Sequence, residues 1–194
     1  MKDFYGDGFS LHSETVLRGI YPVPMDMFNH RKHCVLVSLS AVLLYYSEIL
    51  KIPNNIDEIF QAICSYAKKH FYYFEFYGVN LLMIPKLARG VFRQFGYESF
   101  AKNHLILKGS NFAFETSKKE LTQGRPFLIS FWGGDYRNHT TVCYGYSDYV
   151  RDFETKRFLI LSDGWAGEPR YVDCSMIGSL RTAFYAITSL FPVK

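Results

Sequence analysis

Several marks of common protein classes are missing from this chain of 194 residues. No run of five or more basic residues occurs, and the formal charge of +4 is spread over 22 Lys and Arg set among 18 Asp and Glu. A nucleic-acid footprint is therefore not expected. No apolar run approaches the roughly 20 residues that span a bilayer, and the opening Met1-Lys2-Asp3-Phe4 lacks the apolar core of a secretory leader. The expectation is a cytoplasmic protein with no membrane partner. The cysteines Cys34, Cys64, Cys143 and Cys174 are far apart and show no CxxC spacing, which argues against structural zinc and for reduced thiols. Neither an internal repeat nor a low-complexity segment is visible.

Aromatic residues, by contrast, are abundant: Phe, Tyr and Trp make up 18% of the chain, so much of the core must be packed from rings. The length suits one domain, residues 1 to 194, which buries roughly 70% of the surface its unfolded chain exposes. Residues 1 to 33, with scattered Gly and Pro, read as an irregular leading segment holding one short strand. Residues 34 to about 50 contain no Gly or Pro and are apolar on nearly every side, the pattern of a helix buried inside a domain. Pro53 closes it, and Asn54 or Asn55 can cap a second helix through Ile56, Phe60 and Ile63. A further helix is expected from near Pro85 to about Phe95, and another over residues 113 to 123, stopped at Gly124. Short β-rich runs follow at 126–132, 139–146 and 157–162, then Tyr171-Val172 and a closing helix from about Ser175 to Thr188. Helices preceding strands predict an α+β domain. Its helical half, about 1 to 123, carries a buried central helix packed on an antiparallel sheet half, about 124 to 194.

The chemistry concentrates at three positions. A cysteine that opens a helix, as Cys34 would, faces unpaired backbone N–H groups and the positive pole of the helix dipole. With His30, Arg31, Lys32 and His33 beside it, a thiolate is favoured there. A cysteine nucleophile needs a base, and the base an orienting group, both of which can be remote in sequence. His139 follows the loop 133–138 and opens a strand; Asp163 ends a strand just before Gly164 and Trp165. On neighbouring strands the Asp163 carboxylate could accept from one ring nitrogen of His139 while the other faces the sulfur. His30, His33 and Cys34 lie too close together, and lack a matching distant pair, to read as a metal site. Cys64 and Cys143 read as packing, and the aromatic block after His70 as core or the wall of a groove.

The order Cys34, His139, Asp163 resembles the papain-like cysteine peptidases, above all their compact bacterial branch that includes the double-glycine-leader peptidases of bacteriocin transporters. The segments carrying the resemblance are Cys34 with the following Ala41-Val-Leu-Leu-Tyr-Tyr, Gly124-Arg-Pro-Phe-Leu-Ile, Asn138-His-Thr-Thr-Val-Cys-Tyr-Gly-Tyr, and Phe158-Leu-Ile-Leu-Ser-Asp-Gly-Trp-Ala-Gly. It implies a papain-like fold and hydrolysis of a peptide or isopeptide bond through an acyl-enzyme, with a peptide or protein as substrate and no metal or organic cofactor. It also implies that Trp165 shields the contact between Asp163 and His139. This branch usually has a glutamine six residues before the cysteine as oxyanion donor; that position here is Phe28, so Asn29 or His30 is the expected substitute, with His33 a charged alternative. Two further readings keep the same fold. One is a butirosin-type acyltransferase, suggested by His33-Cys34 and Tyr45-Tyr46, which would move an acyl group from a thioester to an amine. The other is a catalytically silent relative that binds a peptide in the cleft.

Overall fold

In a computed structural model the chain is described over residues 5–106, 110–133, 136–176 and 184–193. In chain order the elements are β1 (Ser10–Val16), α1 (Cys34–Tyr46), α2 (Ile56–Lys69), β2 (Tyr73–Phe74), β3 (Gly78–Val79), α3 (Ile84–Gln94), β4 (Ser99–Ile106), α4 (Ser110–Thr122), β5 (Phe127–Trp132), β6 (His139–Arg151), β7 (Glu154–Ser162), β8 (Arg170–Asp173) and β9 (Phe184–Pro192). The helix boundaries follow local chemistry. Asn55 caps α2 by accepting from the N–H groups of Asp57 and Glu58 at 2.9 and 3.2 Å, and Lys68 and Lys69 sit in the last turn, at the negative end of the dipole. Pro85 lies in the first turn of α3, where its missing N–H costs nothing. Gly124 ends α4 in the left-handed region at φ +69°.

One antiparallel sheet runs β4-β9-β5-β6-β7-β8. The long strand β6 gives one edge to β7; along the other it pairs first with β5 and then with β1. At the handover, a Cβ on Gly145 would come within 2.9 Å of the Thr15 carbonyl oxygen, so the strands meet there only through glycine. The sheet is covered on both faces. Leu128, Val142, Tyr144, Ile160 and Leu190 pack in a core with α1, α2 and α3; Phe127, Ile129, Cys143, Leu159, Leu161 and Ile187 pack with Ala113, Phe114 and Leu121 of α4.

The α+β class thus holds, with a buried central helix. Leu36, Leu39, Val42 and Leu43 of α1 are fully enclosed, and its serines are satisfied locally or by the sheet. The expected closing helix is corrected in part: residues 184–188 belong to β9, and 177–183 lie outside the described residues. Strand β9 sits between β4 and β5 with Ala186, Ile187, Thr188, Ser189 and Leu190 all buried. A strand covered on both faces loses the alternation that would announce it. The sheet also draws β1 and β4 from the first 123 residues. No helix among the described residues is long and apolar enough to cross a membrane.

Candidate functional site

The start of α1 is fastened to the start of β6. Ser38, one turn into the helix, donates from Oγ to the carbonyl of Thr140 at 3.1 Å, which brings Cys34 beside the strand that begins at His139. The leading segment crosses this junction. The Val23 N–H donates to Ser162 Oγ at 3.3 Å and the Met25 N–H to the Gly164 carbonyl at 2.7 Å, while the His33 ring donates from Nε2 to the Met25 carbonyl at 2.9 Å. Gly164 takes φ +75°, and a Cβ there would lie 2.8 Å from Met25 Cγ, so the turn after β7 tolerates only glycine.

Around this junction is an open cavity of about 640 Å³, lined by Met25, Lys32, His33, Cys34, Tyr136, Arg137, Asn138, His139 and Trp165. It therefore brings together Cys34, His139 and Trp165 of the residues singled out from the sequence. His139 is buried, and its Nε2 lies 2.5 Å from the backbone carbonyl oxygen of Asp163. A carbonyl can only accept, so Nε2 carries the hydrogen and Nδ1 keeps a lone pair. The Trp165 ring stacks on the imidazole at 4.5 Å and 17°, and Tyr136 stacks on Trp165 at 5.2 Å. One face of the imidazole is thereby covered.

The role expected of Asp163 differs in its atoms. Its backbone carbonyl, rather than its carboxylate, engages His139. The carboxylate is occupied by its own turn: Oδ1 accepts from the Trp165 N–H at 2.9 Å, and Oδ2 lies 3.3 Å from Arg170 Nε on β8. An Asp that begins a tight turn commonly takes the N–H two residues on, which removes one carboxylate oxygen from other duties. Of the expected oxyanion donors, Asn29 and His30 do not line the cavity, whereas the alternative His33 does. Asn29 is exposed elsewhere, and His30 turns towards Cys64, with Nε2 3.9 Å from that sulfur and Nδ1 3.5 Å from Glu75 Oε1. Phe28 is buried against Phe60 in a stack of 3.9 Å, which fixes the side chain of that position in the core.

Electrostatics at the pair favour neutral groups. Burial pushes the Cys34 thiol up, against the pull of N–H groups from Thr140, Val35 and Cys34 itself and of the Lys32 ammonium. The thiolate favoured by the helix terminus alone is thus outweighed by desolvation. Burial pushes the His139 imidazole down, although its bond to the Asp163 carbonyl and the nearby carboxylate oppose this. No hydrogen bond joins the sulfur to the imidazole, as is common before a substrate binds. Sequence reasoning missed Met25, Tyr136, Arg137 and Asn138 as cavity residues. For Tyr136, Arg137 and Asn138 the available signal was their place in the turn just before β6. Among the described residues no three His, Cys, Asp or Glu are grouped to hold a metal ion.

No protein-family model matches this chain, and no curated protein does. Among solved structures, the chain is similar to the peptidase domain of Streptococcus ComA, a bi-functional ABC transporter involved in a quorum-sensing pathway. The likeness is at 15% identity over 90% of this chain and 98% of that one, with a TM-score of 0.46. It is also similar to the Pseudomonas avirulence protein AvrPphB, at 13% identity over 81% of this chain and 90% of that one, with a TM-score of 0.40.

Proposed function

We propose that the protein is a cysteine hydrolase of papain-like type that cleaves a peptide or isopeptide bond, with Cys34 as nucleophile and His139 as general base. The observation that carries the reading is the shared cavity: a thiol at the start of a buried helix opens into the same space as an imidazole whose Nε2–H is already committed to a carbonyl. In the resting pair both groups are neutral. As the sulfur attacks the substrate carbonyl, its proton passes to Nδ1 of His139, and the imidazolium then gives that proton to the departing amine as the C–N bond breaks. Water, deprotonated by Nδ1, attacks the resulting thioester and releases the acid and the free thiol. Asp163 orients the imidazole through its backbone carbonyl, Trp165 covers the ring, and the N–H of Cys34 is one donor to the oxyanion. Neither metal nor organic cofactor enters these steps.

The pair is tested through the rate of Cys34 alkylation by iodoacetamide near neutral pH, in wild type and in His139→Ala. A base that takes the thiol proton accounts for about 100-fold or more, so the rate is expected to fall by that order in the variant. An unchanged rate would remove the catalytic pair. A peptide panel then separates hydrolysis from acyl transfer: cleavage without an added amine supports the hydrolase, whereas discharge of a thioester only onto amines moves the assignment to an acyltransferase.

A further inference from the structure

Two residues of the cavity stand in the same relation to the reacting pair. Lys32 lies two positions before Cys34, and Arg137 two positions before His139. Both adopt left-handed backbone, at φ +50° and +43°, a conformation that costs a residue with a Cβ of order 1 kcal/mol or more and that glycine takes freely. Both turns are held in place by their surroundings. A Cβ on Gly78 would come within 2.8 Å of the Lys32 carbonyl oxygen, so the β2–β3 hairpin packs directly on that peptide; Tyr73 Oη donates to the Arg31 carbonyl. On the other side the Arg137 N–H donates to the Gly133 carbonyl at 3.2 Å, and Asn138 Oδ1 accepts from the Gly133 N–H at 3.3 Å.

The charges on these side chains are not spent within the fold. Some cations of the surface are neutralised by carboxylates, as Lys68 is by Glu75 and Arg93 by Glu98. Among the described residues neither Lys32 nor Arg137 is in an ion pair, and no carboxylate lines the cavity. Asp163, the acid beside it, is buried and held by Arg170 and the Trp165 N–H. Among the described residues, nucleophile and base thus open into a space with a cation on each flank and no carboxylate in its lining.

We infer that this cavity selects acyl substrates carrying a carboxylate beside the scissile carbonyl, with Lys32 and Arg137 as the two charges that receive it. The inference rests on the reading of Cys34 and His139 as the reacting pair. Paired surface cations attract a carboxylate over a few ångströms with an energy that water and salt reduce but do not abolish. Peptides acidic next to the cleaved bond are therefore the substrate class, and basic ones are disfavoured.

The probe is a pair of alkylating agents alike in leaving group and differing in charge, iodoacetate and iodoacetamide. The ratio of their rates at Cys34 is compared with the ratio on the neutral small thiol N-acetylcysteinamide. At low salt the wild-type ratio is expected to exceed that of the small thiol by roughly tenfold, about threefold to fivefold per cation. It should fall stepwise in Lys32→Gln, Arg137→Gln and the double variant, and collapse towards the small-thiol value at 0.5 M NaCl. Both substitutions are at exposed positions, so folding is not at issue. A wild-type ratio equal to that of the small thiol, or one unmoved by the double variant, overturns the inference. The iodoacetamide rate alone, in wild type against His139→Ala, tests the underlying pair, so the two failures are distinguishable.

Discussion

Among the described residues, the proposed pair of Cys34 and His139 can be set beside a second thiol and imidazole, and the two are unlike in an instructive way. Cys64, His30 and Glu75 form a file, with sulfur to Nε2 at 3.9 Å and Nδ1 to carboxylate oxygen at 3.5 Å; Lys68, 3.1 Å from that same oxygen, holds the Glu75 carboxyl below its usual range with help from His30. Judged by residue types and order of contacts, this file is closer to a nucleophile, base and acid than Cys34, His139 and the Asp163 carbonyl. Yet Cys64 is only 3% exposed, in the core with Phe60 and Tyr73, and burial pushes its thiol up. Cys34 has no hydrogen bond to His139 but opens with it into a cavity, with backbone N–H donors beside the sulfur. A reacting carbonyl needs space about 3 Å from the nucleophile as well as a base. On the proposed reading the cavity is the site, and the complete-looking file is packing that also ties α2 and the β2–β3 hairpin to the segment before Cys34.

The largest expected contrast comes from removing each sulfur. Cys34→Ser should abolish turnover, a loss of about 10⁴-fold or more as in other enzymes stripped of their nucleophile. It should also remove the alkylation that the mass of the folded wild-type protein reveals. Cys64→Ala should leave turnover and labelling of Cys34 intact and lower stability by about 1 kcal/mol, read from the urea midpoint, because it leaves a small void in a packed core. Labelling of Cys64 ahead of Cys34 in the folded protein would reverse the comparison.

A smaller effect is expected at Asp163. Where a carboxylate itself holds the catalytic imidazole, replacing Asp by Asn costs about 10⁴-fold in kcat. Here the acceptor is the peptide carbonyl, which Asp163→Asn retains, and the new amide oxygen can still accept from the Trp165 N–H. The expected loss in kcat is therefore about tenfold to 100-fold, the size of an outer-layer effect. A loss of the full 10⁴ would show that the carboxylate reaches the imidazole during turnover.

These contrasts also indicate how far the sequence could be read. Helix α1, the Asn55 cap, the Pro85 start and the Gly124 stop were legible because each depends on neighbours within a few residues. The meeting of Cys34, His139 and Trp165 in one cavity matches their placement at element ends, which a pattern of strands and helices can suggest. Residues 184–188, the first part of β9, read as helix in the sequence because both faces of the strand are covered, and β4 carries Lys102, Asn103 and His104 in a run with no clear period. Which atom of Asp163 meets His139 was beyond the sequence, since a turn that differs by one hydrogen bond exchanges carbonyl for carboxylate. Likewise, no local rule says that His30 turns to Cys64 or that Phe28 stacks on Phe60; both depend on α2 arriving from 30 residues away.

The smallest effect is expected at the imidazole of the cavity, through pH. Burial lowers the folded-state pKa of His139, so the folded protein holds this ring neutral while the unfolded chain, near 6.5, protonates first. Its contribution to stability is therefore present above about pH 6.5 and is lost as pH falls from there through the lowered folded value, by up to about 1.4 kcal/mol per pH unit. His139→Gln keeps an N–H for the Asp163 carbonyl but cannot be protonated, so it should lose less stability than wild type between pH 7.5 and 5. His104, which burial also lowers, and the carboxylates contribute equally to both proteins and cancel in the difference. Urea midpoints at the two pH values measure this directly, and parallel losses in wild type and His139→Gln would mean that the folded protein takes up the proton at Nδ1 as readily as the unfolded chain does, so that burial does not hold the ring neutral.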